Sequence, residues 1–448
     1  MNILTHLHHL QQLPRLFVAC SGGRDSLSLA YACFLLHQQG CLKHLPTLLH
    51  VHHGIQKAND DWAIWVTNWA KKHGFVCHVR HLQLDKKSET HARKARYQAM
   101  AELMADGDVL LLAHHRDDQA ETVLMRLING SGVGGLSGIK LWQTKQIADK
   151  TIVLHRPWLA VSRQDITAFA RAHQLKYIDD PTNDTGDNAR SFIRTQILPK
   201  LHSLNPQASA NIARSAVHLQ NASSILKDMT KAHLQLCLNT ALTHPPHQSA
   251  INIDTLGTLS IAQQKQLLHS WLQGNEPLPA STHIIDEIVA LCQRTDNDHK
   301  TQILWQGQQC YVVCRYQNTL YRYTQAAFET LSSPCHAISQ PSTHVFLLKQ
   351  HTQNLVWHAP QSVNISIHAL TPQQKLTIFH HRHALSGKKL CQNLKIAPWL
   401  RHNLWVVSQD GVPVLLIAPY QSWTLQSPLE NTYQNTQGAS WQLLHQKN

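Results

Sequence analysis

The chain has 448 residues, 43% of them hydrophobic, and a formal net charge of +13 with histidine counted as neutral. This length predicts two or three domains, because single hydrophobic cores rarely grow beyond about 250–300 residues. No apolar run approaches the roughly 20 residues of a membrane-spanning helix, and a signal-peptide pattern is missing, so we expect a cytoplasmic protein without membrane contact. The positive charge favours a polyanionic partner, nucleic acid first, over a merely basic protein.

Residues 14 to about 160 alternate apolar strand-like runs with stretches of helical spacing. The runs are LFVAC (16–20), TLLHV (47–51), VCHVRHL (76–82), VLLLA (109–113) and TIVLHR (151–156). Strand and helix repeated in this way predict an α/β domain with a Rossmann-like parallel sheet covered on both faces. We expect its ligand beyond the carboxyl ends of the strands.

The string SGGRDS (21–26) follows the first predicted strand and opens a helix. Gly22 and Gly23 permit positive φ and let backbone N–H groups face an anion, which the helix N-terminus also attracts. The string matches neither a Walker A loop nor a dinucleotide fingerprint. A phosphate site is the functional interpretation, and a plain turn capped by Ser21 or Asp25 is the alternative.

A second glycine-rich string, GSGVGG (130–135), matches GxGxxG but follows a predicted helix, so a dinucleotide site is not expected there. We interpret it as a flexible loop near the strand ends. It either closes over the reaction centre or connects two elements passively.

Acidic residues cluster in HHRDDQAE (114–121), after the predicted strand VLLLA. Asp118 and Glu121 are three residues apart and share one face of a helix. They fit a cation or amine site, although Asp118 as N-cap with Glu121 as its box partner is the alternative. The histidines of HVHHG (50–54) lie at the end of another strand, where we expect a bound base or substrate, and no Cys or acidic ligand accompanies them at a zinc spacing.

The second half of the chain changes character. Residues from about 200 to 300 have mostly helical spacing, short strands follow, and residues 331–344 form a Ser- and Pro-rich stretch that is typical of a linker. We therefore predict a catalytic domain over 1–205, a mostly helical domain over 206–330, a linker over 331–344, and a small α/β or β-rich domain over 345–448.

SGGRDS at a first strand–helix turn resembles the PP-loop of the N-type ATP pyrophosphatases. Further strings make the chain similar to one family, the bacterial tRNA(Ile)-lysidine synthetases, over nearly all of residues 16–200. They are VACSGGRDSLSLA, LLHVHHGI, ETHARKARYQAM, LLLAHHRDDQAETVLMRLINGSGVGGLSGI, HRPWL and YIDDPTND. GKKL and LKIAPWLR (387–401) resemble the family's C-terminal tRNA-binding module.

The resemblance implies a reaction and its cofactors. ATP, with Mg²⁺, adenylates the C2 oxygen of the wobble cytidine in tRNA(Ile) with a CAU anticodon. The ε-amine of free L-lysine then displaces AMP and gives lysidine. The sequence leaves the oligomeric state open, a homodimer included. It disfavours the thiolating relatives, because CxxC is missing, and a non-catalytic RNA-binding protein, because SGGRDS, Asp118 and Glu121 are intact.

The resemblance also implies roles for single residues. ATP is bound by the loop residues Ser21, Gly22, Gly23, Arg24, Asp25 and Ser26. Asp25 carries Mg²⁺, and the catalytic set is Asp25, Asp118, Glu121 and Arg93. Contacts to tRNA or lysine are expected from Glu89, His53, Arg190, Arg194, Lys388, Lys389 and Arg401.

One residue departs from the family pattern, because Ser191 stands where the family usually has Asn. A second question concerns Trp399 and Trp405, which interleave with the C-terminal basic residues and suit RNA contact. Core tryptophans under a solvated basic face are the alternative.

Overall fold

The structure is a computed structural model, whose contacts divide the chain into two compact units, Met1–Lys227 and Asp228–Asn448. It describes residues 3–52, 58–82, 89–178, 188–238, 249–295, 301–333, 338–339, 346–347, 353–358, 365–378, 383–418, 421–425 and 440–445. None of the helices in these ranges is long and apolar enough to span a membrane.

A six-stranded sheet forms the centre of the first unit. Its strands are β1 Leu16–Ala19, β2 Thr47–His52, β3 Cys77–His81, β4 Val109–Leu111, β5 Trp142–Ile147 and β6 Lys150–His155. They lie in the order β3-β2-β1-β4-β6-β5, and every neighbouring pair is parallel except β5 and β6. The predicted Rossmann-like sheet is confirmed, with an antiparallel edge strand that the sequence did not indicate.

Strand β1 lies inside the sheet, and successive side chains point to opposite faces. Val18 packs with Leu27 in the hydrophobic cluster on one face, and Phe17 packs with Leu49 in the cluster on the other. Burial on both faces explains why this strand is a continuous apolar run, as expected of a parallel sheet covered by helices.

A 3-10 helix, Ile3–Gln12, precedes the sheet, and helices connect its strands. They are α1 Arg24–Gln38, α2 Ala58–Lys72, α3 Glu89–Ala101, α4 Arg116–Ile128, α5 Val133–Leu136, α6 Arg163–Ala172, α7 Ala189–Phe192, α8 Leu198–Leu204 and α9 Ala208–Cys237. A π-helical turn, Ile193–Ile197, joins α7 to α8. Helix α9 contains the boundary between the two units.

The second unit contains two four-stranded antiparallel sheets. The first consists of β7 Ser249–Asn252, β8 Gln302–Gln306, β9 Cys310–Tyr316 and β10 Thr319–Thr324, in the order β7-β10-β9-β8. Its helices are α10 Ile253–Gly257, α11 Ile261–Gln273, α12 Thr282–Gln293 and α13 Gln325–Ser332. The helices and short strands predicted for this part of the chain are therefore present.

The second sheet supports the β-rich C-terminal prediction. The remaining strands are β11 Ile338–Ser339, β12 Phe346–Leu347, β13 Gln353–His358, β14 Ile365–Ala369, β15 Lys375–Leu376, β16 Leu385–Ser386, β17 Trp405–Gln409, β18 Val412–Ala418, β19 Gln421–Thr424 and β20 Ser440–His445. β14, β17, β18 and β19 form the sheet, beside helix α14 Gly387–Asn393 and a 3-10 turn, Pro398–Asn403.

The predicted domain limits at 205, 330 and 344 stay predictions. Within the predicted linker, Leu331 is buried at the end of α13, and Ile338–Ser339 forms β11. Trp399 packs in the same hydrophobic cluster as Tyr321 and Phe328. Residues on both sides of the predicted linker therefore share one core inside the second unit.

Candidate active site

The loop SGGRDS leaves the carboxyl end of β1 and enters α1 at Arg24. Gly22 has a φ of +87°, and a Cβ on it would lie 2.6 Å from Cδ1 of Ile178, so only glycine fits. Gly23 is the N-cap of α1, and no side chain accepts a hydrogen bond from the first turn. The alternative of a turn capped by Ser21 or Asp25 is therefore wrong, and the helix begins with its N–H groups open to an anion.

The hydroxyls of Ser21 and Ser26 hold the loop in shape. Ser26 Oγ accepts a hydrogen bond from Ser21 N at 3.2 Å and donates one to Gly23 O at 3.0 Å. The two hydroxyl oxygens lie 3.1 Å apart. These contacts fold the chain back over the helix start and leave the hydroxyls beside the place where an anion would bind.

Asp25 lies in the first turn of α1 and faces two basic groups. Its Oδ1 accepts from Nε of Arg24 at 2.9 Å, and its Oδ2 lies 3.6 Å from Nε2 of His115. Burial raises the pKa of Asp25, but the hydrogen bond and charge of His115, followed by the charge of Arg24, lower it by more. The carboxylate is therefore ionised at neutral pH and suits a cation.

His115 begins α4 at the carboxyl end of β4, next to β1. It is the N-cap, its Nδ1 accepts from Asp118 N at 3.3 Å, and Oδ2 of Asp118 accepts from His115 N at 2.9 Å. The alternative capping box, with Asp118 as N-cap and Glu121 as its partner, is thus wrong, because His115 is the cap and Asp118 is its partner. Burial lowers the pKa of His115, and nearby carboxylates, Asp118 first, raise it by more.

Asp118 is buried, and its carboxylate is ionised at neutral pH. Burial raises its pKa, whereas His115, His114 and Arg190 lower it by more, so that the pKa is about 2. Oδ1 accepts from Nη2 of Arg190 at 2.8 Å. The preceding Asp117 has a structural role, because its Oδ2 accepts from Arg163 N at 2.8 Å and ties the starts of α4 and α6 together.

Glu121 is held by two arginines from the segment that follows α6. Its Oε1 accepts from Nε of Arg194 at 2.6 Å, and its Oε2 accepts from Nε of Arg190 at 2.7 Å. Its side chain is only 1% exposed. Four of the predicted residues, Asp118, Glu121, Arg190 and Arg194, therefore form one buried ion-pair network although up to 76 residues separate them in sequence.

Two cavities adjoin the loop. One, of about 210 Å³, has mostly apolar walls and is lined by Ala19, Cys20, Ser21, Asp25, Ser26, Leu49, Val51, Arg96, Met100, Leu112, Ala113, His114 and Asp118. The other, of about 230 Å³, is more polar and is lined by Ser21, Gly23, Arg24, Asp25, Ser26, His115, Asp118, Arg163, Ile178 and Arg194. A flat base suits the first, and a phosphate chain suits the second.

The residues around the loop fit ATP and Mg²⁺. The uncapped start of α1 offers N–H groups to phosphate, and the ionised Asp25 offers an oxygen ligand to a cation. Within the described ranges, no group of three or more His, Cys, Asp and Glu side chains could hold a metal ion. One carboxylate beside a substrate's phosphates is the arrangement that Mg²⁺ commonly uses.

The other predicted residues of this unit lie around the same site or outside the described part. Arg93 is on α3 with its guanidinium 5.7 Å from the ring of Tyr97, and its charge helps to lower the pKa of His114. Glu89 is the first residue of α3, but its side chain lies outside the described part of the structure, as does the whole of His53. His114, which the sequence did not single out, lines the first cavity, and burial lowers its pKa to about 4.

The glycine loop after α4 is fastened by side chains of that helix. Nη1 of Arg126 donates to Gly135 O at 2.7 Å and to Gly138 O at 3.0 Å. Gln119 also bonds to both backbone groups of Ile139. These contacts match the passive connection more closely than a lid.

The C-terminal basic residues lie in the second unit. Lys388 and Lys389 are exposed on α14, whereas Arg401 donates to Ile396 O at 3.0 Å and to the Tyr316 hydroxyl at 3.3 Å. Trp399 and Trp405 are each only 9% exposed. Their rings belong to the core, which leaves the lysines as the accessible groups.

The departure at Ser191 lies at the start of α7. Ser191 is buried, and its backbone N–H donates to Oδ1 of Asn188, the N-cap, at 2.8 Å. Asn188 therefore supplies the amide oxygen that caps the segment carrying Arg190 and Arg194.

Comparison with known proteins agrees with this geometry. Residues 2–201 match a family described as the PP-loop domain, so the first unit is a PP-loop ATP-binding domain. Residues 251–321 match a family described as the TilS substrate binding domain.

Relatives then identify the family. A tRNA(Ile)-lysidine synthase of Psychrobacter sp. (strain PRwf-1) is 38% identical over 94% of this chain and 93% of its own length. That of Acinetobacter baylyi is 30% identical over 93% and 89%. The chain belongs to the tRNA(Ile)-lysidine synthase family. The U34-tRNA thiolase NcsA of Methanococcus maripaludis is more distant, with 19% identity, a TM-score of 0.38, and coverage of 48% of this chain and 78% of that one.

Proposed function

We propose that the two cavities of the first unit hold one ATP molecule between them. The function of the family, which this chain shares, is ATP-dependent formation of lysidine on tRNA(Ile). The adenine then lies in the mostly apolar cavity, and the phosphates lie beside SGGRDS. The observation that carries this proposal is the open start of α1 directly opposite the acidic first turn of α4.

In the first step, the C2 oxygen of the wobble cytidine attacks the α-phosphorus of ATP, and pyrophosphate leaves. The N–H groups at the start of α1 and the hydroxyls of Ser21 and Ser26 hold the phosphates. Asp25 would hold Mg²⁺, which supplies positive charge to the phosphate oxygens. Arg24 remains close enough to Asp25 to orient its carboxylate.

In the second step, the ε-ammonium group of lysine gives its extra proton to solvent, the resulting amine attacks C2 of the cytidine, the bond from C2 to the adenylated oxygen breaks, and AMP leaves. Asp118 lines both cavities, and we assign it to the lysine ammonium group. Its pKa of about 2 makes it a weak proton acceptor at neutral pH, so binding is the better role than general base. Glu121 acts indirectly, because its two oxygens hold Arg190 and Arg194.

We assign Arg93, Glu89 and His53 to the surroundings of the bound substrates. For Arg93 the support is its effect on the pKa of His114, which lines the cavity assigned to adenine. A guanidinium whose charge acts on a residue of this cavity attracts the negatively charged AMP group and the tRNA backbone. The roles of Glu89 and His53 rest on the family resemblance.

We assign tRNA binding to the second unit, in the cytoplasm where the tRNA substrate is found. Lys388 and Lys389 are its exposed contacts, and Arg401 supports Tyr316.

Changing both lysines to Gln should weaken tRNA binding and reduce its salt dependence, because each lysine releases about one counterion from RNA. Lys71 and Lys72, an exposed pair on α2, are the matched control. Equal losses in the two double variants would contradict this assignment.

The function is tested by incorporation of labelled lysine. Full-length protein, Mg-ATP and lysine are incubated with a tRNA(Ile) transcript bearing CAU, beside a methionine tRNA with the same anticodon. Label in the first transcript alone is the expected result. Pyrophosphate release without label would keep the adenylation step and contradict lysine as the nucleophile.

A further inference from the structure

Arg163 is a basic residue of the polar cavity, and in the described part of the chain only its backbone takes part in the contacts that build the site. It is the first residue of α6, and it lines the same cavity as Ser21, Gly23 and Ser26. Its backbone N–H is anchored by Asp117, as described above. Asp117, which lies in the first turn of α4, therefore fixes the backbone of Arg163.

The guanidinium of Arg163 differs from the other two in this cavity. Arg24 is bonded to Asp25, and Arg194 is bonded to Glu121, so both carry compensated charges. Among the described residues, the side chain of Arg163 has no hydrogen bond or ion pair with a carboxylate. It is half-buried in the cavity wall, where water screens its charge only in part.

The place of Arg163 in its helix also disfavours a role in stability. Helix N-termini carry partial positive charge, so a cation in the first turn is repelled, and Asp165 is the residue that suits this position. Arg171 lies in the last turn of the same helix, where a cation is favourable. A cation that the helix itself disfavours, in the wall of a polar cavity shared with the SGGRDS loop, indicates a ligand.

We propose that Arg163 binds the β- and γ-phosphates of ATP and the pyrophosphate that leaves, opposite the SGGRDS loop. This inference rests on the proposed function for its site but concerns a residue outside the predicted set. The ligand chemistry is a phosphate oxygen, and a backbone phosphate of the tRNA is the other source of that group. The size of the cavity and its shared wall with the loop favour the ATP phosphates.

The test compares Arg163→Gln, Arg163→Lys and Arg171→Gln in the full-length protein. Binding of magnesium pyrophosphate and of AMP is measured by calorimetry, and the KM values for ATP and tRNA by pyrophosphate release. Arg163→Gln should weaken pyrophosphate binding and raise the KM for ATP by about tenfold, the effect of one charge-assisted contact. AMP binding and the KM for tRNA should stay within twofold. Arg163→Lys should recover part of the loss, and Arg171→Gln should match the wild type.

Thermal unfolding separates this role from a structural one. Arg163→Gln removes a cation from the start of α6 and should not lower the Tm, whereas Arg171→Gln should lower it slightly. Unchanged pyrophosphate affinity in Arg163→Gln would overturn the proposal, as would a raised KM for tRNA alone. Equal weakening of AMP and pyrophosphate, with a lower Tm, would show a structural role and also overturn it. Because calorimetry needs neither lysine nor tRNA, failure of lysidine formation in the wild type would count against the proposed function and not against this residue.

Discussion

Helices α1 and α4 begin at the same edge of the sheet, after neighbouring parallel strands, but their first turns are built in opposite ways. The first turn of α1 has glycine as its N-cap and no side-chain cap, so its N–H groups await an external acceptor. The first turn of α4 is closed by a reciprocal capping box between His115 and Asp118. The N–H groups at the start of α1 thus have no side-chain acceptor and can bind an anion. The start of α4 is capped by its own side chains and carries additional carboxylates.

The capping of these two helix starts determines which kind of ligand each can bind. An uncapped first turn is less stable by itself and gains from bound phosphate. A capped turn has fewer N–H groups available to bind an external anion. The carboxylates around it instead suit a cationic ligand. The two starts together match a reaction that joins a phosphorylated substrate to an amine.

The largest expected effect comes from removing the negative group of the open helix start. Asp25→Asn should reduce ATP-dependent pyrophosphate release by about 100- to 1,000-fold, because the charge that holds the cation is lost. The measurement is the initial rate of pyrophosphate release with tRNA. Asp108→Asn, which breaks another ion pair of the same unit with Arg15, is the control and should lower stability with little effect on the rate. Full activity of Asp25→Asn would contradict the assignment of Asp25 as the ligand of Mg²⁺.

The second effect concerns pH and the closed helix start. His114 precedes the cap of α4, and burial lowers its pKa from 6.5 to about 4. The folded chain therefore binds fewer protons than the unfolded chain between these values, and stability is lost as the pH falls from 6.5 to 4. The loss is about 3 kcal/mol at full titration.

Thermal unfolding of the wild type and of His114→Gln between pH 7 and pH 4 measures this contribution. The difference in stability between the two proteins should shrink or change sign as the pH falls, because only the wild type carries the buried imidazole. A constant difference across this range would show that His114 accepts its proton without penalty and would contradict the prediction.

A smaller effect should follow from closing the open start. Gly23→Asp places a capping carboxylate at the N-cap, where φ is −74°, ψ is 164°, and a Cβ would lie 3.4 Å from Oγ of Ser21. Helix stability should rise by a few tenths of a kcal/mol, while the KM for ATP should rise about tenfold through repulsion of phosphate. Gly23→Ala supplies the methyl group without the charge and is the control. An unchanged KM in Gly23→Asp would contradict the view that this start is kept open for phosphate.

The smallest effect belongs to a capping box far from the site in sequence. Ser260 and Gln263 form such a box at α11 in the second unit. Ser260→Ala should destabilise the chain by about 1 kcal/mol and lower the Tm by about 2–4 °C. Ser270→Ala, inside the same helix, should not lower the Tm, since Ala favours helix interiors. A Tm that is the same in both variants would show that capping contributes little here.

Strands β1, β2 and β4 could be predicted to within one or two residues because nearly all of their residues are buried. LFVAC is a continuous apolar run, and TLLHV is apolar apart from Thr47 and His50, as expected of strands that helices cover on both faces. Strand β5, with the sequence WQTKQI, was missed because it is an exposed edge strand without an apolar run. Its pairing with β6 is set by a two-residue turn in which Ala148 has a φ of +54°, a conformation that its residue type does not predict.

The site could be predicted only in its local parts. The glycine loop and the acids of α4 are short strings with recognisable chemistry. The cap at His115 was missed because histidine is not among the residues that usually cap helices. The pairing of Glu121 with Arg190 and Arg194 joins residues about 70 apart in sequence, and only the folded chain brings them together.

In the six-stranded sheet, the chain leaves β1 and β4 in opposite directions. From β1 it proceeds to β2 and β3, whereas from β4 it reaches β6 on the other side. Such a reversal between neighbouring parallel strands separates the two loops and opens a crevice made by the path of the backbone itself. SGGRDS borders one side of this crevice, and the start of α4 borders the other. Substitutions can change what the crevice binds, but only a different strand order would remove it.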